Sequence, residues 1–305
     1  MNTTQTIRCF YHSGDWDGIM SGAILRKRFN EDNFVKLNLH PINYGEDYDE
    51  KVFKVVEKDD IVYMVDFAMK PIKKMVKLAK QCKELVWLDH HADTIRMADE
   101  IGFNPSGRRV DGTAGCILTW QWFFPTEPVP EGLNLIGKYD VWNLDDERIK
   151  PFYAGMELAS HSPKSMIAEM ILRDNKAVFN DILNQGEIIR SYQRKQYLES
   201  AKHNGFEIDF GDYKAFAING FVDIDDLIDE GLFDQSKYSF LLMFEKRTDW
   251  WKFSMRSRGD GCVDVSAICR RFGGGGHKQA SGFETKDNKI ITRMIEGKIV
   301  ITKEQ

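Results

Sequence analysis

The chain has 305 residues, 42% of them hydrophobic, with 42 Lys and Arg against 47 Asp and Glu for a net charge of −5. That length and apolar content support two compact domains, each with its own core, and exclude a disordered or fibrous chain. The slight acidity gives no general attraction to long nucleic acid, so any polyanion must be held locally or through bound metal.

The N-terminal stretch Met1 to Thr6 lacks the basic and apolar regions of a signal peptide, and no apolar run approaches the length of a membrane span. Together these predict a soluble, stand-alone protein with no membrane partner, and five cysteines without an even disulfide count point to the reducing cytoplasm. Strand-like runs at 7–11, 35–39, 61–65 and 85–88 alternate with helical patterns at 19–29, 49–57 and 71–82, the signature of βαβ units around a parallel sheet. Pro71 suits a helix start, where its missing N–H costs nothing. Residues 113–124 read as a buried helix with Trp120 and Trp122 in the core, ended by Pro125. Residues 176–204 are polar and helical and read as a connector. Beyond it come strand-like runs at 213–218, 238–245 and 251–255 and helices at 265–271 and 289–296, with a capped helix over the acidic run 223–229. The expected fold class is therefore α/β: a parallel-sheet domain over 1–180, a helical linker over 181–204 and a smaller mixed α/β domain over 205–305, the two domains facing each other across a cleft. The cysteines at 9, 82, 116, 262 and 269 have neither zinc spacing nor an even disulfide count, and read as buried small hydrophobes.

The chemistry collects where the apolar runs stop. His12, Asp15 and Asp17 follow the first run, Asp66 closes the third, and Asp89-His90-His91 follows Leu85 to Leu88, as expected where buried parallel strands release the chain at their carboxyl ends. Asp140 in Tyr139-Asp140-Val141-Trp142 is a fourth candidate, with Asp145 and Asp146 following it closely. Carboxylates gathered at one place repel one another and raise each other's pKa unless cations neutralise them. Oxygen ligands with a minority of imidazole suit Mn²⁺, or Mg²⁺, rather than thiolate-bound zinc. His40, His161 and His203 lie away from these clusters and read as surface or satisfied core histidines.

In the C-terminal part, Gly273 to Gly276 precede His277 and Lys278. A run without Cβ atoms lets backbone N–H groups converge on an anion. Arg256 and Arg258, two apart on an expected strand, share one face, and guanidinium matches phosphate oxygens in a bidentate fork.

Read together, Asp89-His90-His91, the upstream clusters and the series Arg256 to Gly282 resemble the DHH phosphoesterase superfamily, with the glycine-rich DHH-associated C-terminal domain of bacterial nanoRNA phosphatases, RecJ-type exonucleases and cyclic-dinucleotide phosphodiesterases. The resemblance implies two divalent cations, one held by His12, Asp15 and Asp66 and the other by Asp17, Asp66, His90 and Asp140. It makes Asp66 the bridge and sets His91 beside the substrate phosphate as a catalytic group. It also implies substrate binding by Arg256, Arg258, Gly274, Gly275, Gly276 and His277. Two residues separate His12 from Asp15, where the nanoRNA phosphatase branch usually has three. The implied activity is hydrolysis of short oligonucleotides or dinucleotides to nucleoside 5′-monophosphates. A pyrophosphatase or polyphosphatase is the rival among enzymes, and a catalytically silent nucleic-acid-binding subunit the rival among binding proteins. The sequence leaves open RNA against DNA, dinucleotide or 3′-phosphoadenosine phosphate, the polarity of cleavage, the metal used, and whether the chain is a homo-oligomer.

Overall fold

A computed structural model describes residues 4–30, 32–44 and 47–298. The outer ends of both expected domains, 1–3 and 299–305, lie outside the described residues, as do 31, 45 and 46. The chain forms two compact units that divide between Arg190 and Ser191.

The first unit is built on β1 (Gln5–His12), β2 (Val35–Ile42), β3 (Ile61–Val65), β4 (Glu84–Asp89) and β5 (Ser106–Arg109). All four pairings are parallel, in the order β2-β1-β3-β4-β5. Side chains alternate across this sheet with period two. Cys9, Tyr11, Val65 and Leu88 enter one core with helices α1 (Trp16–Phe29), α5 (Gly115–Phe123), α6 (Glu131–Asp140), α7 (Ile149–Met156) and α8 (Met166–Leu172). Phe10, Met64 and Trp87 enter the other, with α2 (Tyr48–Phe53), α3 (Lys73–Gln81) and α4 (Ala92–Glu100). Both faces are covered, so the central strands read as unbroken apolar runs instead of alternating ones. The chain leaves β1 toward β2 on one side and later returns as β3 on the other. That makes the β1/β3 boundary the switch point where such sheets open a crevice at their carboxyl ends.

Some details differ from expectation. α2 stops at Phe53, short of the expected 57, and α3 begins at Lys73, two residues past Pro71. Trp120 is buried at 2% exposure, but Trp122 is 38% exposed and is not core. Four of the five cysteines are buried and Cys262 is half-buried. No helix among the described residues is long and apolar enough to cross a membrane.

Residues 176–204 form one continuous helix, α9, and the division between units falls within it. The second unit holds β6 (Gly205–Phe210), β7 (Tyr213–Asn219), β8 (Phe240–Lys246), β9 (Trp251–Arg256), β10 (Gly275–His277) and β11 (Ala280–Thr285), in the order β10-β11-β9-β8-β7-β6. Only the β7–β8 pairing is parallel, so the sheet is mixed. Helices α11 (Val265–Arg270) and α12 (Ile290–Ile295) cover one face through Phe240, Leu242 and Phe253. On the other face α10 (Ile224–Asp229) packs on Leu241 and Met243, with its N-cap Asp223 accepting from the Asp225 N–H.

Candidate metal centre

Three adjacent strands deliver the cluster. Tyr11 pairs with Val65 and Val65 with Leu88, so His12, Asp66 and Asp89 come to the carboxyl edge of the sheet side by side. Asp66 leaves β3 with φ +51°, in the left-handed region that Asp tolerates better than most residues, and its N–H donates to the Leu88 carbonyl at 2.9 Å. Between Asp15 and Asp17, Trp16 is fully buried and its Nε1 donates to Glu157, which pins the turn carrying both aspartates. Asp15 also caps α1 by accepting from the Gly18 N–H.

Asp66 occupies the middle. Its Oδ2 lies 3.4 Å from His12 Nδ1, and its Oδ1 lies 3.3 Å from His90 Nε2. His12 Nδ1 is also 3.0 Å from Asp15, and His90 Nε2 is 3.2 Å from Asp140 and 3.7 Å from Asp17. Two sets follow, His12–Asp15–Asp66 and Asp17–His90–Asp140, while Asp66, His90 and His91 form a third overlapping set. Asp140 arrives differently from the others, from the last turn of helix α6 rather than the end of a strand.

Asp17 is held by two backbone N–H groups at the start of α5, from Gly115 at 2.7 Å and Cys116 at 2.8 Å. A Cβ on Gly115 would stand 2.8 Å from the Asp66 Cβ and 3.0 Å from Asp17 Oδ2, so only glycine lets this helix approach the acids so closely.

The electrostatics follow from crowding out of water. Burial, reinforced by the charges of Asp17 and Asp15, pushes the Asp66 carboxyl well above the usual range. Burial and Asp17 do the same to Asp140. Burial alone would lower His12, yet Asp15 and Asp66 outweigh it and push the imidazole up to about 11. Asp66 Oδ1 and Asp140 Oδ2 are buried without a hydrogen-bond donor. Buried carboxylate oxygens are costly without such partners. A divalent cation fits these atoms: the donors are hard oxygens and imidazole nitrogens, gathered within 4.8 Å in each set.

Two residues outside the expected ligand set orient it. Asp89 is fully buried, and its Oδ1 lies 2.7 Å from His91 Nδ1 while also accepting the His90 N–H. Its Oδ2 accepts from Trp87 Nε1 and Thr94 Oγ1. Asn43, just after β2, meets His12 Nε2 at 3.0 Å through Oδ1. A buried acid at a strand end that needs several donors was a signal for Asp89; Asn43 carries none in sequence.

The second unit places its candidates on one sheet. The register Arg256↔Ala280↔His277 sets Arg256 and His277 in one row on either side of β11. Arg256 donates to Ser254 Oγ and to the Met255 carbonyl. β9 ends at Arg256, so Arg258 lies beyond the strand and does not extend its face. Its guanidinium makes a fork with Asp225 at 2.5 and 2.9 Å. Two glycines of the run answer to packing. A Cβ on Gly274 would stand 2.1 Å from the Gly282 carbonyl oxygen, and Gly276 has φ +136°, so both serve the close packing of β10 on β11. Gly275 has ordinary φ and open space where its Cβ would be. No neighbour within 4 Å would obstruct a side chain there. His40, His161 and His203 lie outside the cluster; His40 stacks on Phe10, and His161 meets the edge of Trp16.

No family model matches the chain. It is similar to an uncharacterized protein of Acanthamoeba polyphaga mimivirus, 25% identical over 92% of this chain and 68% of the relative. It is also similar to oligoribonuclease NrnB of Bacillus subtilis, 22% identical over 91% of this chain and 72% of that one. Among solved structures it resembles the exonuclease RecJ bound to manganese, with a TM-score of 0.54 and 14% identity over 97% of this chain and 89% of that one. The pGpG-specific phosphodiesterase PggH of Vibrio cholerae superposes with a TM-score of 0.52 and 13% identity over 94% and 95%.

Proposed function

We propose that this chain, a DHH-superfamily protein by its fold and by its own Asp89-His90-His91, is a metal-dependent phosphoesterase that cuts short oligonucleotides or dinucleotides to nucleoside 5′-monophosphates. The observation that carries the proposal is the Asp66 carboxylate, which faces His12 with one oxygen and His90 with the other inside a buried acidic cluster. His12, Asp15 and Asp66 would hold one divalent cation, and Asp17, Asp66, His90 and Asp140 the other. When bound, such a pair would supply Lewis-acid charge and lower the pKa of water there. Mn²⁺ is the favoured ion, in line with the manganese in the RecJ structure.

The chain's own groups do the rest. Asp89 accepts from His91 Nδ1–H and favours the imidazolium, whose Nε2–H donates to a phosphate oxygen and steadies the charge that develops there. In the second unit, Arg256, His277 and the backbone of Gly274 to Gly276 bind a substrate phosphate or terminal nucleotide. Gly275, bare for no reason of packing, marks where that anion comes closest. Arg258 is forked on Asp225. Short RNA is the substrate class the similarity to an oligoribonuclease favours, and the likeness to a pGpG phosphodiesterase extends the expectation to dinucleotides.

The test is product analysis on RNA of two to five nucleotides with Mn²⁺. Release of nucleoside 5′-monophosphates by the full chain, lost with chelator, supports the proposal. Turnover of pyrophosphate or polyphosphate with RNA left intact, or turnover of neither, overturns it.

A further inference from the structure

Among the described residues, three other than glycine have left-handed φ: Asp66 at +51°, Asp174 at +51° and Trp142 at +59°. Aspartate enters that region with modest strain because its short polar side chain bonds locally, whereas an indole has no such recourse. Trp142 stands just past the end of α6, where its N–H donates to the Tyr139 carbonyl at 3.1 Å and the Asn143 N–H donates to the Lys138 carbonyl at 2.9 Å. This paired closure of a helix is the one that favours glycine at the left-handed position. The backbone here asks for glycine and the sequence supplies its bulkiest residue, so the indole must serve something the closure does not need.

Its surroundings say what. Trp142 follows Asp140 by two residues, and Asp140 belongs to the Asp17–His90–Asp140 set. The half-buried indole stands edge-on to Tyr139, with centroids 5.7 Å apart at 62°. Tyr139 in turn stacks on Tyr153 at 3.7 Å and 17°. Tyr139 immediately precedes Asp140 at the end of α6, so the helix end that delivers Asp140 to the acidic cluster also carries this aromatic group. Flat apolar surface beside a phosphate-binding centre suits a base, because every nucleobase has a π-face to stack. The geometry points to Trp142 as a nucleobase-stacking residue, braced by Tyr139 and Tyr153, that selects base-bearing phosphodiesters over base-free phosphates at this centre. The inference rests on the phosphoesterase proposal and narrows its substrate class.

The test compares Trp142→Gly and Trp142→Phe with wild type in the full chain by three readouts. These are the melting temperature, the binding of a labelled phosphorothioate trinucleotide by anisotropy, and the hydrolysis of trinucleotide RNA against an abasic ribose-phosphate of the same length. The expected Trp142→Gly protein melts at or above wild type, because glycine suits the left-handed position. Its dissociation constant and its KM for RNA rise at least tenfold, while the abasic compound changes less than twofold. Trp142→Phe recovers most of the RNA affinity. A Trp142→Gly protein that melts several degrees lower and loses both compounds alike makes the indole a packing residue and overturns the inference. So does unchanged trinucleotide binding. Failure of the broader proposal is distinguishable: wild type would then hydrolyse neither compound, while the binding arm still reports on Trp142.

Discussion

Asp66 and His90 meet at 3.3 Å, from Oδ1 to Nε2, in a place where both side chains are almost wholly withdrawn from water and the carboxylate's other oxygen faces His12. One side chain thereby reaches a member of each of two candidate ligand sets. Asp66→Asn keeps the shape but removes the charge that serves both. Wild type should melt several degrees higher on adding Mn²⁺, and the variant should lose that response along with at least a thousandfold of turnover. Differential scanning calorimetry with and without metal checks it; a wild-type metal response in the variant would contradict the bridging role.

His90 and His91 are neighbours with different partners. His90 faces three carboxylates, whereas His91 is tied to Asp89 through Nδ1. His90→Ala should weaken metal binding, and His91→Ala should lower kcat with metal occupancy largely kept. Elemental analysis of both purified proteins decides, and equal metal loss in the two would refute the split.

If His91 meets the substrate phosphate as proposed, Asp89 acts through it as a positioning residue. In Asp89→Asn the amide nitrogen must face one of the donors that now converge on the carboxylate, and the His91 tautomer is no longer fixed. Supporting partners of this kind typically cost about 10–100-fold in activity or metal affinity when changed. The expected result is a fall of that size in kcat with KM little altered. A KM effect alone would show that Asp89 serves binding instead.

The legibility of the fold in the sequence was uneven, for physical reasons. β3 was readable to the residue, because a strand buried on both faces is a solid apolar run bounded by Asp60 and Asp66. β5, Ser106–Arg109, escaped because an edge strand can be polar and short. Helices α6 to α8 were missed as elements, since short helices in a packed layer show little periodic contrast. The ligand candidates were legible where strands end in acid. Asp140, at a helix end, was recognisable only through its Tyr-Asp-x-Trp context. Asn43 and the geometric role of Gly115 depend on chain segments that meet only in the fold.

Within the glycine run, adjacent positions should respond in opposite ways. Gly274→Ala forces a Cβ onto the Gly282 carbonyl and should destabilise the second unit by roughly 1–3 kcal/mol. Gly275→Ala meets nothing and should leave the melting temperature unchanged while raising KM for a short oligonucleotide. Thermal melts paired with kinetics separate them. A stable Gly275→Ala enzyme with wild-type KM would remove this strand from the substrate site.

The central claim is a two-cation centre bridged by Asp66, and anomalous diffraction from crystals of the full chain grown with Mn²⁺ tests it most directly. Two manganese peaks are predicted, one among His12, Asp15 and Asp66 and one among Asp17, His90 and Asp140, with the Asp66 carboxylate between them. No anomalous peak at either position in manganese-saturated crystals would contradict the account.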